Sequence, residues 1–286
     1  MDQYEQMIKG IAEASNPGLD KSKTALVCID LVNDGNDENG FFKKVLNFDI
    51  SLIQKIELNV MKIIEACKSK DIPIIAVQAI YDFDYIPFAM KERFEAMGIK
   101  GGLAPKGAWG SEIISKIKRV GIDLILVKSH YSAFSIKTFG YKPGNKEVEE
   151  YLKLSAQEDP KIKSSGKKIM FDYFKESQLI QKNVDGHLES GGVVNLDNYL
   201  KSKGIDTLII VGASTHVCVD STVAGASERG YKIFMPIDAV AAEGIPGEGF
   251  QRHFIYLSNH GMFKAELTSS EKLIAVINKI NNLGGK

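Results

Sequence analysis

The 286-residue sequence has few cysteines, no excess of either charge and no long apolar run, and each shortage removes a class of protein. Its three cysteines, Cys28, Cys67 and Cys218, are odd in number, far apart and never arranged as C-x-x-C. Neither a disulfide framework nor a zinc ribbon is expected, and three reduced thiols in a reducing compartment is the economical reading. Thirty-six Lys and Arg offset thirty-six Asp and Glu, so no global field draws the chain to nucleic acid or to an anionic membrane. No apolar stretch approaches the length of a membrane span. The opening MDQYEQMIKGIAEASNPG carries no apolar signal region, which makes a cytoplasmic protein the expectation. There is no internal repeat, no G-x-G-x-x-G loop and no P-loop, which argues against a nucleotide-binding oxidoreductase. The five histidines, His130, His187, His216, His253 and His260, are scattered, and each is expected at the surface or in a cap.

What is present has an ordinary globular balance, 44% hydrophobic and 25% charged, and enough length to bury a sizeable core. Short β-branched runs alternate with longer amphipathic stretches. Strands are predicted at 24–30, 72–80, 123–129, 206–212, 232–238 and 263–267, with helices at 51–70, 111–121, 215–230 and 271–282. Strands that are apolar throughout and separated by helices indicate a parallel sheet covered on both faces, a doubly wound α/β/α sandwich. Two regions interrupt the alternation. One is an aromatic, Gly- and Pro-containing loop at 81–110. The other is a lysine-rich excursion at about 135–194, which includes the amphipathic piece EVEEYLKL. So long a connection usually carries structure or function of its own, and one or two helices acting as a lid or an oligomer contact are expected. It begins seven residues after Lys128.

In an open α/β sheet, ligands bind beyond the carboxyl ends of the strands. Asp30, Lys128 and the turn before Cys218 all fall there. An aspartate at a strand end commonly caps a turn, a lysine is usually solvated, and a lone cysteine is usually packing. Together the three types supply what acyl transfer needs. The thiolate is a nucleophile, and a carboxylate can shuttle its proton. Backbone N–H groups at a helix start can hold an oxyanion. A helix start and a nearby ammonium lower a thiol's pKa, so Cys218 is expected to titrate below about 8.5.

The segments ALVCIDLVND, LVKSHYSAF and IIVGASTHVCVDSTVAGASERGYKIFMPIDAVAA resemble the three signature segments of the isochorismatase-like cysteine hydrolases. The third is the most specific, and the resemblance spans 24–134 and 195–257. It implies a single domain over residues 1–286 with an insertion at about 135–194, and a six-stranded parallel sheet in the order 3-2-1-4-5-6. It further implies a catalytic triad of Asp30, Lys128 and Cys218, a non-proline cis peptide at Ala213–Ser214, and an oxyanion hole from the N–H groups of Ser214 and Cys218. A nicotinamidase-type metal site would need histidines after the second strand. QAIYDFDYIPFAM has none, so no metal and no cofactor are expected. The retained cysteine departs from members that cleave the vinyl ether of isochorismate. GGLAPKGAWGSEI resembles the layout of the ureidoacrylate branch. The implied activity is thioester-mediated hydrolysis of a C–N bond in a small amide, ureido or carbamoyl compound; the alternatives are a vinyl-ether hydrolase and a non-catalytic binding protein. Asn33, Tyr85, Trp109 and Tyr131 are candidate substrate contacts. The expected partners are the small substrate and further copies of the chain, in a dimer or tetramer.

Overall fold

A computed structural model describes residues 3–83, 86–99, 102–135, 138–153 and 195–280. Ten strands are present among these residues: β1 (Thr24–Ile29), β2 (Ile74–Ala79), β3 (Tyr81–Asp82), β4 (Gly102–Leu103), β5 (Leu124–Lys128), β6 (Thr138–Tyr141), β7 (Thr207–Ala213), β8 (Lys232–Pro236), β9 (Val240–Ala241) and β10 (Glu266–Thr268). Eight of them form one mostly parallel sheet in the order β10-β8-β7-β1-β2-β5-β6, with β9 pairing β7 beyond the end of β8. β3 and β4 make a separate two-stranded ribbon.

The six expected parallel strands thus stand in the order 3-2-1-4-5-6, but the sheet does not stop at six. β6 adds an antiparallel edge against β5, pairing Thr138 with Lys128, and the first part of the 135–194 excursion supplies it. The helix α7 (Lys146–Lys153) follows it and covers most of the EVEEYLKL piece; residues 154–194 lie outside the described residues.

β1 shows why the central strands read as unbroken apolar runs. Ala25, Val27 and Ile29 enter the core on one face of the sheet, and Leu26 and Cys28 enter the core on the other. A strand buried on both sides has no solvent face to signal with polar residues. On one side lies α4 (Ser51–Lys68), with Ile53, Ile56, Val60, Ile63, Ile64 and Cys67 buried at three- and four-residue spacing. α11 (Ser270–Lys279) joins it through Leu273 and Ile277. On the other side are α1 (Gln3–Ala14), α8 (Leu196–Ser202), α9 (Asp220–Ser227) and α10 (Gln251–Phe263), contributing Ile8, Leu196, Val223 and Leu257. α5 (Phe88–Ala96) covers the rim near β3.

β1 and β7 are neighbours over six paired positions, ending at Ile29 and Gly212. Gly212 has φ +119°, and a Cβ there would stand 2.1 Å from the Ile29 carbonyl oxygen. Only glycine allows both the conformation and the approach. This contact brings the ends of the two strands together where Asp30 and the turn to Cys218 begin. No helix among the described residues is long and apolar enough to cross a membrane.

Candidate active site

Asp30 follows β1 with φ 47°, in the left-handed region that Asp tolerates better than most residues. Lys128 ends β5 and is fully buried. Cys218 lies in a π-helical turn, Thr215–Val219, between β7 and α9. The structure brings the three together. Lys128 Nζ is 2.7 Å from Asp30 Oδ2 and 3.4 Å from Cys218 Sγ.

The π-turn has a consequence at the backbone. The Ser214 carbonyl, which an α-helix would pair with the Cys218 N–H, accepts from Val217 (3.0 Å) and Val219 (3.1 Å) instead. The Ala213–Ser214 peptide before it is cis.

Electrostatics here differ from the sequence expectation. Burial pushes the Cys218 thiol up to about 12, against the opposing pull of Lys128. The expected value below about 8.5 is therefore corrected upward for the free protein. The physical reason is that Cys218 is 6% exposed and that the nearby ammonium is already committed to Asp30. Burial raises the Asp30 carboxyl, offset in part by Lys128 and by a hydrogen bond with Cys218. Burial would lower Lys128, but Asp30 and Cys218 more than compensate and hold its ammonium charged.

Two further groups belong to the site beyond the residues expected from the sequence: Tyr81 touches the cluster, and Glu243 holds the turn beside it. Tyr81 follows β2, and its hydroxyl lies 2.6 Å from Lys128 Nζ and 3.0 Å from Cys218 Sγ. Its place just beyond the carboxyl end of β2 is the sequence signal that marks it, the same that marks Asp30 and Lys128. Glu243 accepts a hydrogen bond from Ser214 Oγ (2.5 Å) and lies 3.3 Å from His216 Nε2. Burial alone would raise it, but His216 and Ser214 hold its carboxylate below the usual range. Nothing in the local sequence announces Glu243, because it reaches the turn through the return of β9 to β7.

The histidines around the turn are not at the surface. His253 and His260 are buried, correcting the expectation for both. His253 Nδ1 shares a 2.9 Å hydrogen bond with Thr215 Oγ1, and His260 Nε2 is 3.7 Å from Asp220. Burial lowers both; for His253 the value is about 4. His130 is half-buried beside Lys128, its carbonyl accepting from Nζ at 3.0 Å, and His187 lies outside the described residues. Among the described residues no three His, Cys, Asp or Glu side chains gather as metal ligands do.

A cavity of about 50 Å3 opens onto Asp30, Ser214 and Cys218, walled by Phe42, Tyr81 and Leu103. A second carboxylate, Asp34, lines it and accepts the N–H groups of Phe41 (3.2 Å) and Ala104 (2.9 Å). Of the candidate substrate contacts, Tyr85 lies outside the described residues. Asn33, Trp109 and Tyr131 are not among the cavity's described lining. Asn33 Nδ2 donates to the Trp109 carbonyl at 2.8 Å, and Trp109 is exposed. Tyr131 packs edge-on against Tyr81, ring centroids 6.1 Å apart, one residue layer behind the wall.

Comparison with known proteins agrees with this architecture. A family model described as the isochorismatase domain matches residues 24–157 and 192–255, reaching into both ends of the excursion. The chain is similar to the ureidoacrylate amidohydrolase RutB of Agrobacterium fabrum, 23% identical over 233 residues, which span 77% of each protein. Among solved structures, a cysteine hydrolase from Pseudomonas syringae pv. phaseolicola superposes with a TM-score of 0.61 at 17% identity, covering 91% of this chain and 94% of that one. An N-carbamoylsarcosine amidase from Thermoplasma acidophilum gives 0.50 at 20% identity, covering 87% and 97%. Likenesses this distant bear on the fold.

Proposed function

We propose that this chain, which belongs to the isochorismatase family, hydrolyses a C–N bond in a small amide, ureido or carbamoyl compound, with Cys218 as the nucleophile. The observation that carries the reading is the convergence of a carboxylate and a thiol that line one cavity, Asp30 and Cys218, on the buried ammonium of Lys128, 2.7 Å from the first and 3.4 Å from the second. The sequence relative named as a ureidoacrylate amidohydrolase supports the substrate class.

In this reading the resting site holds a neutral thiol beside the Asp30–Lys128 pair. Asp30, whose raised pKa makes it a stronger base than an exposed carboxylate, takes the thiol proton as the sulfur attacks the carbonyl carbon. Negative charge then develops on the carbonyl oxygen against the N–H groups of Ser214 and Cys218. The pairing of the Ser214 carbonyl with Val217 and Val219 supports that role for the Cys218 N–H. Asp30 returns the proton to the leaving nitrogen, the C–N bond breaks, and a thioester remains on Cys218. A water deprotonated by Asp30 attacks that thioester, releasing the acid and restoring the thiol. Lys128 stays charged throughout, compensating whichever neighbour is negative.

A screen of small amides, ureides and carbamoyl compounds for ammonia release tests the substrate class. Mass spectrometry of protein quenched during turnover of a poor substrate tests the thioester. An acyl adduct on the peptide containing Cys218 is expected; turnover with no adduct on any cysteine would overturn the covalent route.

A further inference from the structure

We infer that the Tyr81 hydroxyl is a further catalytic group: it accepts a hydrogen bond from Lys128 and donates its own hydrogen to the Cys218 sulfur. The inference rests on the proposed nucleophilic role of Cys218 and assigns the group that holds the sulfur once its proton has gone.

The direction of each bond follows from counting hydrogens. A lysine ammonium has donors and no acceptor, so at 2.6 Å the Tyr81 oxygen accepts from Lys128. The phenol has one hydrogen left to place. Its two other neighbours are Cys218 Sγ at 3.0 Å and the His130 carbonyl at 3.4 Å. An O–H···O bond is at its best at about 2.5–3.0 Å, so the carbonyl at 3.4 Å is the weaker acceptor, whereas 3.0 Å is short for contact with sulfur. Lys128 itself stands farther from the sulfur, at 3.4 Å, which makes the phenol the nearer donor.

The ring that carries this hydroxyl is held firmly. Tyr81 is 5% exposed, packs edge-on against Phe94 and Tyr131, and pairs with Leu103 through the β3–β4 ribbon. Burial, reinforced by Cys218 and Asp30, pushes its pKa well above the ordinary 10, so it remains a donor at working pH and not a base. The ionisable groups interacting with the sulfur are Asp30, Lys128, Tyr81 and Tyr131, and Asp34 lines the same cavity. No proton passes between Tyr81 and Cys218. When Asp30 takes the thiol hydrogen, the sulfur becomes an anion and its bond from Tyr81 becomes charge-assisted; when the thioester forms, that charge is gone. The contact is thus strongest as the thiolate forms, which is where it lowers the barrier.

The test is the rate at which iodoacetamide alkylates Cys218, read by mass spectrometry at fixed pH, in the wild-type protein and in Tyr81→Phe. Below the thiol's midpoint this rate follows the thiolate fraction and needs no substrate. A 10–100-fold slower rate in Tyr81→Phe, about what one hydrogen bond to a charged group is worth, is expected. The variant's rate–pH curve should be displaced upward by about one to two pH units. A merely structural tyrosine would lower the melting temperature and leave this rate unchanged, and that result would overturn the inference. Should Tyr81→Phe fail to fold, wild-type protein labelled with 3-fluorotyrosine replaces it. Its more acidic phenol, a stronger donor to the sulfur, should speed alkylation of Cys218, and an unchanged rate would overturn the inference equally. Turnover in Cys218→Ala would refute the nucleophile itself while leaving the alkylation result standing. A dead Cys218→Ala beside a normally alkylating Tyr81→Phe would refute Tyr81 alone.

Discussion

Ser214 Oγ donates to Glu243 Oε2 across 2.5 Å, tying the residue that caps the cysteine turn to a buried carboxylate. The same carboxylate faces His216, so the turn and its cap share one anchor. Glu243→Gln keeps the shape and removes the charge. It should lower kcat about tenfold with little change in KM, because the turn positions reacting groups and not bound substrate. Steady-state kinetics decide it; a change confined to KM would place Glu243 in binding instead.

Cys218→Ala, Asp30→Asn and Lys128→Ala should each cost at least about 10³-fold in kcat, and pairs of them little more than one alone, because members of one catalytic unit are not additive. Cys218→Ala should melt within a few degrees of wild type. Near-normal turnover in any of the three would remove that residue from the mechanism.

With no substrate present, alkylation of Cys218 should be slower than that of free cysteine at the same pH. Burial pushes this thiol up to about 12, so its thiolate is rarer than in solution. A faster rate than free cysteine would mean that the pull of Lys128 outweighs burial.

His253 should make the protein acid-sensitive. Its folded pKa of about 4 lies below the ordinary 6.5. The unfolded chain therefore takes up the proton first as pH falls. Stability from this group is full above about 6.5 and declines as pH drops toward 4, by at most about 3 kcal/mol. Urea midpoints for wild type and His253→Gln across that window measure it. Parallel slopes would show that His253 does not contribute.

A Cβ on Gly110 would stand 2.3 Å from the Asp34 carboxylate. Gly110→Ala must displace Asp34 from the N–H groups of Phe41 and Ala104. The expected cost is about 2–3 kcal/mol, together with a raised KM, since Asp34 lines the cavity. Thermal melting and KM measure the two effects separately.

How much of this the sequence disclosed depended on whether the deciding contacts were local. The six parallel strands were legible because burial on both faces forces unbroken apolar runs, as in TALVCI and LILVK. β6 was not, because TFGY is short and acquires its role by pairing antiparallel with the strand that carries Lys128. α10 was not, because Ile255, Met262 and Phe263 sit on its exposed side and blur the apolar stripe. The triad types could be placed at strand ends from the order of elements alone. The height of the Cys218 pKa could not, since it depends on how much water the surrounding elements exclude. Glu243 and the buried His253 depend on packing between β9, α10 and the turn, which leaves no periodic trace.

The approach of Gly212 to the Ile29 carbonyl sets the spacing between the acid-bearing and thiol-bearing strands in main chain alone. Side chains can be exchanged around such a frame without resetting it. A selection for new substrates is therefore free to rework Phe42, Leu103 and the rest of the cavity wall while the reactive groups hold their places. Position 212, by contrast, should return glycine from any randomised library. The molecule separates what is adjustable from what is fixed, and the boundary between the two runs through a single missing side chain.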